Sequence, residues 1–131
     1  MSAVHGFRVR VYYEDTDFSG NVYHAAYLKF FERGRTEFLR EMGVHHSELA
    51  QQGLAFAVRS MQIEFEAAAH IDDELLVETR VTSCTGARLQ LEQSIRRGDD
   101  AVTRAVVLVV AIRTNGGAAR LPSTLLARLR S

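Results

Sequence analysis

One long stretch with helical periodicity, followed by several stretches with strand periodicity, constrains the fold of this chain most. From Tyr23 to Met42, apolar side chains recur every three or four residues, which predicts one broad apolar face on a long helix. Gly43 follows as a natural C-terminal stop. Gly34 interrupts the apolar face at a cost of about 1 kcal/mol relative to alanine, so we expect a sheet to pack closely against the helix there.

The other long segments have the patterns of strands. Alternating apolar and polar residues occur at 7–13, 61–66, 75–81 and 89–95. The continuous apolar run 105–112 predicts a fifth strand, buried on both faces. A hairpin turn at 97–100 and other short connections indicate a mostly antiparallel sheet. Because one helix cannot cover both faces of a sheet, we predict an α+β fold in which a curved sheet wraps the helix. The open face and free edge of this sheet favour oligomerisation.

Two short helices complete the prediction. One has Ser47 as its N-cap and ends at Gly53, and the other runs from Pro122 to Leu129. Asn115-Gly116-Gly117 is expected to end the last strand.

Composition limits the class of protein. With 131 residues, 47% of them hydrophobic, the chain suits a single domain spanning residues 1–131. The formal net charge is zero, which gives no argument for a nucleic-acid partner or for an anionic membrane. Cys84 is the only cysteine, so we expect a small buried side chain in a reducing compartment. The chain start lacks an apolar signal region and no apolar run could span a bilayer, so we expect a cytoplasmic protein without membrane insertion.

The segment between the first strand and the long helix carries the chemistry. Asp17 precedes Gly20, where the backbone can turn sharply, and His24 lies near the helix start. A carboxylate can act as nucleophile or general base on a thioester carbonyl, and the unpaired N–H groups of a helix start can hold the developing oxyanion. The same residues also suit a structural role, because acidic and serine side chains before a helix commonly cap it and complement its dipole.

Other chemical constellations are missing from the sequence. The five histidines show neither H-E-x-x-H nor another paired metal-ligand spacing, so we expect no metal. No G-x-S-x-G motif and no glycine-rich phosphate loop is found, and no cofactor is expected. Aromatic residues do not interleave with a basic patch as they do in nucleic-acid-binding proteins.

Four segments resemble the tol-pal-associated (YbgC-like) acyl-CoA thioesterases, which belong to the 4-hydroxybenzoyl-CoA thioesterase group of hot-dog folds. They are Val11-Tyr12-Tyr13-Glu14-Asp15-Thr16-Asp17, Gly20, Val22-Tyr23-His24-Ala25 and Tyr27-Leu28-Lys29-Phe30-Phe31-Glu32-Arg33. The resemblance covers roughly residues 7 to 125. It implies a helix wrapped in a five-stranded antiparallel sheet, and homodimers or homotetramers whose active site lies at the dimer interface.

The resemblance also implies roles for individual residues. Asp17 matches the catalytic carboxylate and His24 the motif histidine, whose backbone N–H is the expected oxyanion donor. The expected substrate-binding residues are Tyr13, Gly20, Asn21, Val22, Tyr23 and Arg88. Asn21 replaces a small or β-branched apolar residue and Arg88 a small polar one, which leaves open the acyl preference and the docking of CoA or of an acyl carrier protein.

Two other functions compete with hydrolysis of acyl-CoA. A hot-dog dehydratase would act on hydroxyacyl thioesters through a His and Asp or Asn pair and would release water rather than thiol. A non-catalytic module would bind an acyl carrier protein or an envelope-linked complex without releasing thiol. Thiol release separates hydrolysis from both rivals; a water-elimination product would favour the dehydratase, and saturable carrier-protein binding would favour the binding module.

Overall fold

The computed structural model describes residues 3–130, so the outermost residues of the predicted domain, Met1, Ser2 and Ser131, lie outside the described residues. In chain order, the elements are β1 (His5–Arg10), α1 (His24–Glu41), α2 (His46–Gln51), β2 (Leu54–Phe65), β3 (Glu74–Cys84), β4 (Arg88–Arg97), β5 (Asp100–Arg113) and α3 (Ser123–Arg130). A 3₁₀ turn at Tyr13–Asp15 follows β1.

The strands form one antiparallel sheet in the order β1-β3-β4-β5-β2. The strand that precedes α1 therefore lies at one edge, and the first strand after it lies at the other. This architecture confirms the predicted fold class, a long helix with a five-stranded antiparallel sheet. None of the helices among residues 3–130 is long and apolar enough to cross a membrane.

Helix α1 packs its apolar face against one side of the sheet. Phe30 and Phe31 have no exposed surface, and Phe38 is 3% exposed. The helix comes very close to β3 at Gly34, because a Cβ atom added there would lie 2.7 Å from Val77 Cγ1. The predicted close approach at Gly34 is confirmed.

A polar network lies beneath this contact. Arg35, only 8% exposed, donates from Nη1 to Gln93 Oε1 at 3.0 Å. Gln93 Nε2 in turn donates to the Phe31 carbonyl at 3.0 Å and to Thr79 Oγ1 at 2.9 Å. The network satisfies polar groups that would otherwise destabilise the core.

The predicted ends of two elements were wrong. Strand β1 ends at Arg10 rather than at Tyr13, because the Tyr12 N–H turns to bond Asp15 Oδ2 at 2.9 Å and the chain enters the 3₁₀ turn. Ser47 is not an N-cap but lies in the first turn of α2, since the carbonyl of His45 accepts the first helical hydrogen bonds.

Strands β2 and β5 also differ from the prediction. Strand β2 begins at Leu54, seven residues before the predicted alternation starts at Met61. The sequence pattern missed the first half of the strand because a bulge between Val58 and Ser60 breaks the alternation. The prediction that 105–112 is buried on both faces was wrong. Its residues alternate between the side covered by α1 and an outer side where Val106 is 39% exposed, since α1 covers only one face.

Several other predictions are confirmed. Positive φ angles occur at Gly43 and Gly53, just after α1 and α2, and at Gly98 between β4 and β5. Gly116 and Gly117, which follow the end of β5, also have positive φ angles. Cys84 is a buried free cysteine.

Candidate active site

Asp17 lies in a tight turn between the 3₁₀ turn and α1. Thr16 and Val22 form an antiparallel bridge, and the Asp17 N–H donates to the Asn21 carbonyl at 2.9 Å. Gly20 N–H closes the turn on the Asp17 carbonyl at 3.1 Å, with a φ of 83° that favours glycine. We call residues 16–22 the Asp17 turn.

The carboxylate of Asp17 is exposed and held by its neighbours within the turn. The Ser19 N–H and hydroxyl donate to Oδ1 at 2.8 and 2.5 Å. These hydrogen bonds hold the pKa of Asp17 below its ordinary value, the Ser19 hydroxyl contributing most and the Ser19 N–H next. The Asn21 N–H and His24 lower the pKa by smaller amounts. Asp17 is therefore ionised at neutral pH, as a nucleophile or a base requires.

The N-terminus of α1 has two backbone N–H groups without a partner among the described residues, and they include the one that the resemblance predicts as oxyanion donor. Tyr23, the N-cap residue, donates its N–H to the Asp15 carbonyl at 2.9 Å, and Ala26 N–H bonds the Tyr23 carbonyl at 2.9 Å. No atom of residues 3–130 accepts a hydrogen bond from the backbone N–H of His24 or of Ala25. Two donors at the positive end of the helix dipole thus remain available for a negative oxygen.

The His24 side chain is exposed at the helix start. Its ring lies 4.8 Å from the Phe65 ring, centroid to centroid, at the end of β2. The electrostatic interaction with His24 is also the smallest of the causes that lower the pKa of Asp17. The structure therefore brings the two predicted catalytic residues into one neighbourhood.

The predicted substrate-binding residues of the motif surround this neighbourhood. Tyr13 is 81% exposed and Tyr23 is 56% exposed, so both present aromatic surface to solvent. Gly20 and Asn21 are half-buried within the Asp17 turn. Val22 is 5% exposed and anchors the turn in the core. Their role in binding substrate stays a prediction.

Arg88 lies elsewhere. It begins β4, whose other end, Arg97, contacts the segment beside the Asp17 turn. Nine residues of extended strand separate the two ends by about 30 Å. Within one chain the structure does not bring Arg88 to Asp17, and the role of Arg88 in binding substrate stays a prediction.

The segment 66–73, which connects β2 to β3, lies against the Asp17 turn and was missed from the sequence. The Val22 N–H donates to the Ala69 carbonyl at 2.8 Å, and Asn21 bridges His70. The three consecutive alanines of this segment gave no signal of this role. In residues 3–130, no three His, Cys, Asp or Glu side chains lie close enough together to hold a metal ion.

Comparison with known proteins identifies the family. A family model described as the thioesterase-like superfamily matches residues 11–129. The acyl-CoA thioesterase YbgC of Haemophilus influenzae is 47% identical over 107 residues, which cover 81% of this chain and 79% of that protein. The acyl-CoA thioester hydrolase YbgC of Escherichia coli O157:H7 is 45% identical over 105 residues, or 79% of this chain and 78% of that one.

Solved structures agree with these relatives. A probable thioesterase from Bartonella henselae superposes with a TM-score of 0.88 at 47% identity, covering 92% of this chain and 100% of that chain. A 1,4-dihydroxy-2-naphthoyl-CoA thioesterase from Synechocystis has the same fold, with a TM-score of 0.89 at 23% identity, over 98% of this chain and 97% of that chain. The chain therefore belongs to the thioesterase-like superfamily with the hot-dog fold, and within it to the YbgC acyl-CoA thioesterases.

Proposed function

We propose that this protein hydrolyses acyl-CoA thioesters to the free acid and CoA, with Asp17 as the reacting carboxylate. One observation carries the proposal. An ionised, exposed carboxylate, held by Ser19, lies in the turn that leads directly into a helix start with unpaired N–H groups at His24 and Ala25. A thioester needs this pairing of a nucleophile or base with oxyanion donors.

In the covalent route, the carboxylate of Asp17 itself attacks the thioester. Its pKa lies below the ordinary aspartate value, so it is ionised and ready to act as the nucleophile at neutral pH. In this route a carboxylate oxygen adds to the thioester carbon and the C–S bond breaks. CoA leaves as a thiolate that takes up a proton, and water hydrolyses the resulting anhydride to give the acid and regenerate Asp17.

The helix start and His24 assist these steps. The N–H groups of His24 and Ala25 stabilise the oxyanion of each tetrahedral intermediate, and each such donor contributes about 100-fold to 1000-fold in rate. The His24 side chain orients Asp17 or protonates the departing thiolate. In the alternative base route, Asp17 takes a proton from the attacking water and the same donors bind the oxyanion.

Exposed apolar surface supports a homodimer or homotetramer. Phe18 is fully exposed, Tyr13 is 81% exposed and Phe65 is 47% exposed, all in or next to the catalytic neighbourhood. β2 lies at the edge of the sheet with one side unpaired in this chain. We propose that a second copy covers this surface and completes the substrate site. An acyl carrier protein as donor of the acyl group, and a cytoplasmic location, stay predictions.

Thiol release tests the proposal. A chromogenic disulfide would report the free thiol released from short, long and aromatic acyl-CoAs. The assay compares wild type with Asp17→Asn and with the control Asp99→Asn, since the Asp99 side chain is fully exposed at the β4–β5 hairpin. We expect turnover by wild type and Asp99→Asn and its loss in Asp17→Asn. No release from CoA esters or from carrier-protein thioesters would favour the binding module, and formation of an elimination product would favour the dehydratase.

A further inference from the structure

The segment 66–73, which we call the bracing segment, holds the C-terminal half of the Asp17 turn. Within the turn, the hydrogen bonds of Asp17 link it to Ser19, Gly20 and Asn21. Outward, the Val22 N–H donates to the Ala69 carbonyl at 2.8 Å and Asn21 bridges His70, while Val22 packs in the core and the N-terminal half of the turn bonds the Tyr13 carbonyl through Thr16. The bracing segment is therefore one of the contacts that set the position of the catalytic carboxylate.

One guanidinium holds two points of the bracing segment. Arg97, at the end of β4, donates from Nη1 to the Ala68 carbonyl at 3.2 Å and to Asp73 Oδ2 at 2.7 Å. Asp73 Oδ2 also accepts the His70 N–H at 2.9 Å. Arg97 thus ties the part of the segment that lies beside the Asp17 turn to the sheet.

One buried hydroxyl holds the middle of the bracing segment. Ala69 has no exposed surface, and its N–H donates to Tyr27 Oη at 3.1 Å. Tyr27 belongs to α1, is 3% exposed and packs its ring 5.7 Å from that of Phe65. The backbone of Ala69 therefore links two elements. Its N–H bonds Tyr27 of α1, and its carbonyl bonds Val22 of the Asp17 turn.

We propose that Arg97 and Tyr27 are positioning residues of the thioesterase reaction, which act by holding the bracing segment and, through Ala69, the Asp17 turn. The inference rests on the proposed role of Asp17. A misplacement of about 1 Å in a reacting group can cost 100-fold in rate, so two contacts outside the reacting groups can control the chemical step.

The neighbouring arginine provides a matched control. Arg96 is half-buried like Arg97, but its Nε donates to Glu78 at 2.9 Å on the outer side of the sheet. It has no hydrogen bond to the bracing segment. Loss of Arg96 removes an ion pair of similar exposure from the same strand while leaving the Asp17 turn untouched.

The test compares the kinetics of Arg97→Gln, Arg97→Lys and Arg96→Gln in full-length protein. We expect Arg97→Gln to lower kcat by about 10-fold to 100-fold with KM changed by less than about threefold, because the loss is in the chemical step. Arg97→Lys should recover part of kcat, since an ammonium keeps the charge without the planar guanidinium. Arg96→Gln should keep the wild-type kcat. Hydrogen exchange of the peptide that contains Val22 should speed up in Arg97→Gln and keep the wild-type rate in Arg96→Gln.

Tyr27→Phe keeps the inference testable if Arg97→Gln fails to fold. It removes only the hydroxyl, and we expect the same selective fall in kcat and the same faster exchange. Wild-type kcat in Tyr27→Phe and in folded Arg97→Gln, alongside an inactive Asp17→Asn, would overturn the positioning role and leave the proposed function standing. Full turnover by Asp17→Asn would overturn the role of Asp17 and, with it, the positioning role of Arg97 and Tyr27.

Discussion

Placing a methyl group at Gly34 tests the packing of helix on sheet. The added Cβ atom would lie 2.7 Å from Val77 Cγ1, and 3.4 and 3.5 Å from Gln93 Nε2 and Thr79 Oγ1. Val77 has no exposed surface, and its β-branched side chain has few rotamers to escape into. The neighbours can therefore yield only by moving the helix or the strand.

The magnitude for Gly34→Ala follows from two opposing effects. Alanine in place of glycine inside a helix normally stabilises by about 1 kcal/mol. Overpacking a filled core costs about 1–3 kcal/mol, and the rigid contact with Val77 puts this case near the upper end. We expect the free energy of unfolding to fall by about 1–2 kcal/mol, which is the upper part of the overpacking cost, about 2–3 kcal/mol, less the gain of about 1 kcal/mol from alanine.

Urea unfolding gives the measurement. Gly34→Ala should lower the midpoint without changing the m-value. Gly6→Ala is the control, because its Cβ would meet only the flexible end of Leu76, at 3.2 Å. In the double variant Gly34→Ala/Val77→Ala, the new methyl group occupies the space that Val77 vacates. The double variant should therefore lose less free energy of unfolding than the sum of the two single variants. A Gly34→Ala protein more stable than wild type would refute the close contact.

Three further predictions concern named contacts. Ser19→Ala should raise the pKa of Asp17 towards its ordinary value, so the acidic limb of the kcat/KM profile should move to higher pH; an unmoved limb would argue against the Ser19 hydrogen bonds. Gln93→Leu should lower the free energy of unfolding in urea by about 2–4 kcal/mol, because the buried guanidinium of Arg35 loses its acceptor. As the control, Gln90→Leu at an exposed position of the same strand should change stability little. Burial raises the pKa of the Cys84 thiol, so it should react with a chromogenic disulfide far more slowly in the native protein than in urea, and equal rates would contradict its burial.

The long-range outline of the fold was predictable because it depends on periodicity. The apolar face of α1, its stop at Gly43 and the close approach at Gly34 are all visible in the order of residues. Strand β2 was found only in part, since the bulge beside Arg59 shifts the alternation, and periodicity alone cannot follow a strand across a bulge. The exposed outer side of β5 was missed because a run of apolar residues does not reveal which side a helix covers.

The candidate site was predictable where it is local in sequence. Asp17, Gly20 and His24 lie within eight residues, and the turn and helix start that join them have recognisable residue types. The bracing segment was not predictable, because Ala69 acts through its backbone and Arg97 reaches it from a distant strand. Arg88 was named as a substrate-binding residue from the resemblance, which gives no distance; the fold places it at the far end of β4, and its role stays a prediction.

The rate of a single turnover tests the role of Asp17 most directly, because enzyme in excess over acyl-CoA separates the chemical step from product release. We expect Asp17→Asn to release thiol slower than wild type by a factor on the order of 10⁴, while Asp99→Asn matches wild type. Thiol release by Asp17→Asn within tenfold of the wild-type rate would contradict the assignment of Asp17 as the reacting carboxylate.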